Sequence, residues 1–146
     1  MANGFFGPMR ADKQNAPEVW NPFIRLTLTD TGGIILANDV LALIDTGSDV
    51  CYIDNELAKK SGLLPKGSTM TSTGTGSKEN PVYGCVFLIK DRPTNAILRM
   101  ATPGMDLSSN GMNHRILLGM EALRNFDLRI SQSQQLVELN WAKSPT

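Results

Sequence analysis

The chain has 146 residues, 41% hydrophobic and 19% charged, and its 14 basic and 14 acidic side chains cancel. That length holds one domain with a real core and is short for two, and zero net charge gives no reason to expect nucleic acid or an anionic membrane as partner. No apolar run approaches the roughly 20 residues of a membrane helix, and Met1 to Arg10 lacks a basic segment leading into an apolar one, so a soluble cytoplasmic protein is expected.

Met1 to Asn21 mixes Gly, Pro, Asn and polar residues without period. It is expected to be an extended arm or leader, ahead of a domain over 22–141 and a tail over 142–146. From Phe23 the pattern changes: Ile24, Leu26 and Leu28 alternate with Arg25, Thr27 and Thr29, as in a half-buried strand. Asp30-Thr31-Gly32-Gly33 reads as a turn, and Asn38-Asp39 breaks or bulges the returning strand between Ile34–Leu36 and Val40–Ile44. Val50–Ile53 is a further strand, after which Asp54 is placed to cap a short helix through Ala58–Ser61 that Gly62 ends. Ser68–Lys78 is a Thr, Ser and Gly run, followed by strands Val82–Lys90 and Asn95–Ala101. Thr102–His114, with Pro103, Gly104 and Gly111, is expected as a long polar surface loop. Ile116-Leu117-Leu118 gives a buried strand, Gly119 a sharp exit into a helix over Glu121–Asn125, and Leu128–Ile130 with Leu136–Leu139 a closing hairpin. Many short strands between Gly and Pro turns indicate an all-β barrel or sandwich.

The chemistry concentrates where Ala42-Leu43-Ile44 delivers Asp45-Thr46-Gly47-Ser48. An acid carried out of a buried strand into a tight turn is held rigid and partly desolvated. A bare Asp-Thr-Gly is weak by itself. Its context is stronger: a buried strand before it, a Gly-rich segment after roughly 25 residues, then Leu118-Gly119-Met120-Glu121-Ala122-Leu123. That succession, over about Phe23 to Leu139, resembles the retropepsin family of aspartic proteases, especially its cellular members.

The resemblance implies a small closed β-barrel of the retropepsin type with one or two short helices, and an endopeptidase cleaving extended polypeptide without metal or organic cofactor. Hydrolysis by carboxylates needs two of them sharing a proton, and the chain offers one such turn. Asp30-Thr31-Gly32 lacks the same apolar lead-in and reads as a hairpin turn. A homodimer with Asp45 and its mate on the twofold axis meets the need. Within the turn, Thr46 resembles the residue whose hydroxyl cross-links the two turns, Gly47 lets backbone pass close to the acids, and Ser48 bonds within the turn. Asp49 matches a position that contacts substrate backbone in viral relatives. Those relatives usually carry arginine where this chain has Met120, with Arg115 or Arg124 available to compensate. Thr73-Gly74-Thr75-Gly76-Ser77 resembles the flap, a lid whose backbone meets substrate.

Other readings are weaker. Gly74–Lys78 is no Walker loop, because Glu79 follows the lysine and the glycines are wrongly spaced. One histidine and two distant cysteines make no metal site. His114 reads as an ordinary loop residue, Cys51 and Cys85 as buried reduced thiols, and Lys59-Lys60 as a solvated helix face. Trp20 and Trp141 are expected either in a terminal sheet across the dimer or as local cover. Two functional alternatives stand beside the enzyme: a non-catalytic dimeric peptide-binding or assembly module, and a processing domain released from a longer precursor.

Overall fold

A computed structural model describes residues 1–13, 20–73, 76–90 and 95–142. The alternating apolar segments form β3 (Trp20–Thr29) and β4 (Ile35–Ile44), joined through the Asp30 turn. Next come β5 (Tyr52–Asp54), α1 (Asn55–Lys60), β6 (Pro65–Thr73), β7 (Gly76–Ile89) and β8 (Ala96–Met105). The chain ends with β9 (Ile116–Leu118), α2 (Met120–Leu123), β10 (Phe126–Ser131) and β11 (Leu136–Trp141). Ahead of them, β1 (Ala2–Asn3) pairs with β11, and β2 (Phe5–Pro8) with the start of β3.

The large sheet runs β2-β3-β4-β9-β5-β8-β7-β6, and an extra β3–β7 pairing closes it into a ring. The fold is thus an all-β closed barrel with two short helices. Ile24, Leu26, Leu28, Ile44, Ile53, Phe87, Ile116 and Leu118 belong to its main core. A smaller cluster, Phe23, Leu43 and Leu117, is covered by Met9, Leu41 and Tyr52. Leu43 and Ile44 thus join different clusters, as neighbours on a pleated strand must.

Several expectations are met and several move. The bulge at Asn38-Asp39 is present: register slips between Leu26↔Val40 and Leu28↔Ala37, and Asp39 takes φ 52°. Gly62 ends α1 at φ 76°. β3 is less half-sided than its alternation suggests, because Thr27 and Thr29 are also buried, their hydroxyls donating to Asn38 Oδ1 and Asp30 O. The Thr and Ser run is mostly strand: β6 and β7 form a hairpin from Pro65↔Tyr83 to Thr73↔Gly76, as β-branched threonine favours. β8 extends to Met105, four residues into the expected loop. Gly104 there replaces no turn; a Cβ would run into Asn55 Oδ1, so the glycine is required by close packing.

Asp54 does not cap α1. The 1%-exposed carboxylate accepts Leu107 N (3.1 Å), Ser108 N (3.1 Å) and Ser108 Oγ (2.7 Å) instead, anchoring the segment after β8. Phe126 and Trp141 pack edge to face at 5.2 Å where β10 meets β11. Both cysteines are free and buried. Among the described residues, no helix is long and apolar enough to cross a membrane.

Candidate active site

β4 pairs in parallel with β9 through Ile44↔Leu118, so both strands end side by side. At that edge Asp45 N donates to Leu118 O at 3.0 Å. The chain then turns: Gly47 N donates to Asp45 Oδ1 (2.9 Å) and Ser48 N to Asp45 O (3.3 Å). Ser48 Oγ donates to Val50 O at 2.8 Å, so the sequence expectation of a hydrogen bond within the turn holds for Ser48. Asp45 is half-buried; Thr46, Gly47 and Asp49 are exposed.

What fixes this turn is α2. Met120 N and Glu121 N donate to Ser48 O (2.7 Å) and Asp49 O (2.9 Å). Glu121 Oε1 accepts Cys51 N at 2.8 Å, and Gly119 N meets Cys51 Sγ at 3.3 Å. A Cβ on Gly119 would run into Val50 O and sit 2.7 Å from Ser48 O. Gly119 is extended (φ −91°, ψ −175°), so it serves close approach between two backbones rather than a turn only glycine could make. Gly47 is tight differently: its Cβ would lie 3.2 Å from Asp45 Oδ1, against a side chain rather than backbone.

The second Asp-Thr-Gly is locally similar and globally different. Asp30 Oδ1 accepts Gly32 N and Ile34 N, both at 2.9 Å, and Gly33 sits at φ 89°. This turn joins β3 to β4 as a hairpin.

By strand alternation Asp45 follows Leu41 and Leu43, whose cluster includes Phe23. His114 packs against the Phe23 ring at 6.3 Å between centroids. It is 2% exposed, with Nδ1 lacking a hydrogen-bond partner. Burial, with the Arg115 charge adding, pushes its pKa down to about 4; the charges of Asp45 and Asp54 act in the opposite sense. A histidine read from sequence as an ordinary loop residue is therefore buried against Phe23. The lone signal was its position just before the buried Ile116-Leu117-Leu118.

Among the described residues no hydrogen bond or ion pair joins Arg115 or Arg124 to Asp49. Arg115 Nη1 donates to the carbonyls of Met112, Asn113 and His114, and Arg115 Nε lies 3.9 Å from Asp54. Arg124 caps the C-terminus of α2. Met120 is itself 40% exposed. Burial pushes the Cys51 thiol up to about 12, which makes it an inert packing group beside the turn.

Of the residues expected to meet substrate, Thr73 and Gly76 face each other at the end of the β6–β7 hairpin, while Gly74 and Thr75 lie outside the described residues. Asp49 stands at the turn. Among the described residues no group of three or more His, Cys, Asp or Glu is placed to hold a metal ion.

The closed all-β barrel thus presents an Asp-Thr-Gly turn clamped by a Gly-led helix. The family model of aspartyl proteases matches residues 30–122, more than half of the chain, and the chain belongs to that family. This agrees with the family expected from Asp45-Thr46-Gly47 and Leu118-Gly119. No curated protein matches the chain. Among solved structures, it is similar to a retropepsin-like aspartic protease from Rickettsia conorii, with 18% identity and TM-score 0.47 over 97% of this chain and 92% of that one.

Proposed function

We propose that two copies of this chain form a homodimeric aspartic endopeptidase in which Asp45 of each copy contributes one carboxylate to a shared site. The observation that carries this reading is the Asp45 turn itself: one acid, half-exposed at the barrel edge, gripped from behind by α2 through four bonds that involve Ser48, Asp49 and Cys51. A rigid mount of that kind suits a group that must hold its place during reaction. A single carboxylate is half of what water-mediated peptide hydrolysis needs.

Thr46 is exposed at the turn, where its hydroxyl can meet the same turn of the second copy. Two close carboxylates do not both ionise, so the pair holds one proton. The ionised member takes a proton from the water as its oxygen attacks the peptide carbonyl carbon. The protonated member donates to the carbonyl oxygen. Collapse of the tetrahedral intermediate breaks the C–N bond: the proton taken from water passes to the leaving nitrogen, and a hydroxyl of the intermediate gives its proton to the other carboxylate, which leaves a carboxylic acid product and restores the one-proton pair. The β6–β7 hairpin serves as the flap, with Thr73, Gly74, Thr75 and Gly76 meeting substrate backbone and Asp49 at the cleft edge.

Sedimentation equilibrium combined with cleavage of a peptide pool tests this. A dimer whose specific activity falls on dilution, and an inactive but still dimeric Asp45→Asn, are the expected results. Full activity in a monomer would overturn the shared site. A dimer that binds peptides without cleaving them would instead assign the chain as a binding module.

A further inference from the structure

Between the β6–β7 hairpin and the segment after β8 lies a groove of about 420 Å³. Met105, Leu107 and Met112 give it an apolar lining, and Lys78, Asp106 and Thr71 a polar one. Asp45 is not part of this lining. The groove adjoins the hairpin that the preceding reading uses as flap.

Its polar groups have an uneven account. Lys78 Nζ donates to Asp106 Oδ2 at 2.6 Å, and Asn55 Nδ2 to Asp106 Oδ1 at 2.8 Å. Both carboxylate oxygens are thereby engaged, and the two charges cancel. Thr71 is 5% exposed, and its Oγ1 has no hydrogen-bond partner. A buried hydroxyl left unpaired is costly, and a ligand that meets it recovers that cost.

These features rank what the groove accepts. A carboxylate or ammonium entering it faces a pair already neutralised, loses water and gains no counter-charge. A purely apolar side chain suits the methionine and leucine lining and leaves the Thr71 hydroxyl unmet. A neutral side chain with two methylenes and a terminal amide satisfies both, because an amide donates and accepts. We propose that this groove is a subsite of the substrate cleft that selects glutamine in an extended polypeptide, an inference that rests on the protease reading above.

The test uses the full chain, a proteome-derived peptide pool and mass spectrometry of the cleaved products. One position relative to the scissile bond favours Gln about fivefold over Met, the worth of one net hydrogen bond. The decisive variants alter charge. Lys78→Met frees Asp106 and turns that position toward Lys and Arg by about tenfold; Asp106→Asn frees Lys78 and turns it toward Glu by a similar factor. The two side chains are 66% and 38% exposed, so the barrel tolerates both changes. Thr71→Val removes the preference for Gln over Met and leaves the rejection of charge. Unchanged preferences at every position in Lys78→Met and Asp106→Asn overturn the proposal.

Binding of the same pool to Asp45→Asn, with and without the groove substitutions, separates this inference from the catalytic one. Gln-selective binding that switches with charge, without cleavage by the native chain, sustains the groove and removes the protease. Cleavage without any such selectivity does the reverse. Absence of both binding and cleavage overturns both.

Discussion

Replacing Gly119 by alanine separates the mount of the acid from the acid itself. The added Cβ meets Val50 O head-on and stands 2.7 Å from Ser48 O, both backbone atoms that yield only if the chain moves. Forcing a methyl into such a contact costs about 1–3 kcal/mol. The movement that relieves it pulls Met120 N and Glu121 N from Ser48 O and Asp49 O, now at 2.7 and 2.9 Å, and each lost bond adds about 1 kcal/mol. The sum is about 3–5 kcal/mol, read as a lowered urea midpoint with an unchanged slope. Gly47→Ala is the control. Its Cβ would press on Asp45 Oδ1 at 3.2 Å, and that side chain gives by a few tenths of an ångström. It lowers cleavage while changing stability by less than about 1 kcal/mol. Gly119→Ala unfolding within about 0.5 kcal/mol of the native chain, or Gly47→Ala costing as much as Gly119→Ala, would refute the reasoning.

Asp54→Ala leaves Leu107 N and Ser108 N without their acceptor, while Ser108 Oγ keeps Glu56 Oε2 at 2.9 Å, and is expected to cost about 3–5 kcal/mol by chemical unfolding. A loss below about 1 kcal/mol would show that water replaces the carboxylate there. His114 gives a pH signature: its folded pKa of about 4 lies below its ordinary 6.5, so the unfolded chain binds more protons between those values. Stability from this group is complete above pH 6.5 and declines as pH falls through 4, by up to about 3 kcal/mol. His114→Leu flattens that part of the profile, and an unaltered slope in the variant would contradict the assignment.

The strands were legible where one residue in two is apolar, as at Ile24, Leu26 and Leu28, and the bulge at Asn38-Asp39 was visible as a polar break between apolar stretches. The Asp45 turn was legible because an apolar strand ends abruptly on it. Legibility failed where a residue's role is decided by something distant in sequence. Asp54 has the right type and place for a helix cap, yet its acceptors are spent on Leu107 and Ser108, more than fifty residues away. Pro103-Gly104 looks like a turn, but β7 and β5 hold it in a strand and Asn55 requires the missing side chain. Nothing local marks Glu121 as the acceptor for Cys51 N, or His114 as buried beside Phe23.

The shared acid is tested most directly by mixing. Native chain and Asp45→Asn, equilibrated in equal amounts so that copies exchange, give about a quarter of the activity of the same total concentration of native chain, because only dimers with two intact acids cleave. About half the activity, linear in the native fraction, would mean that each chain works alone and would contradict the account.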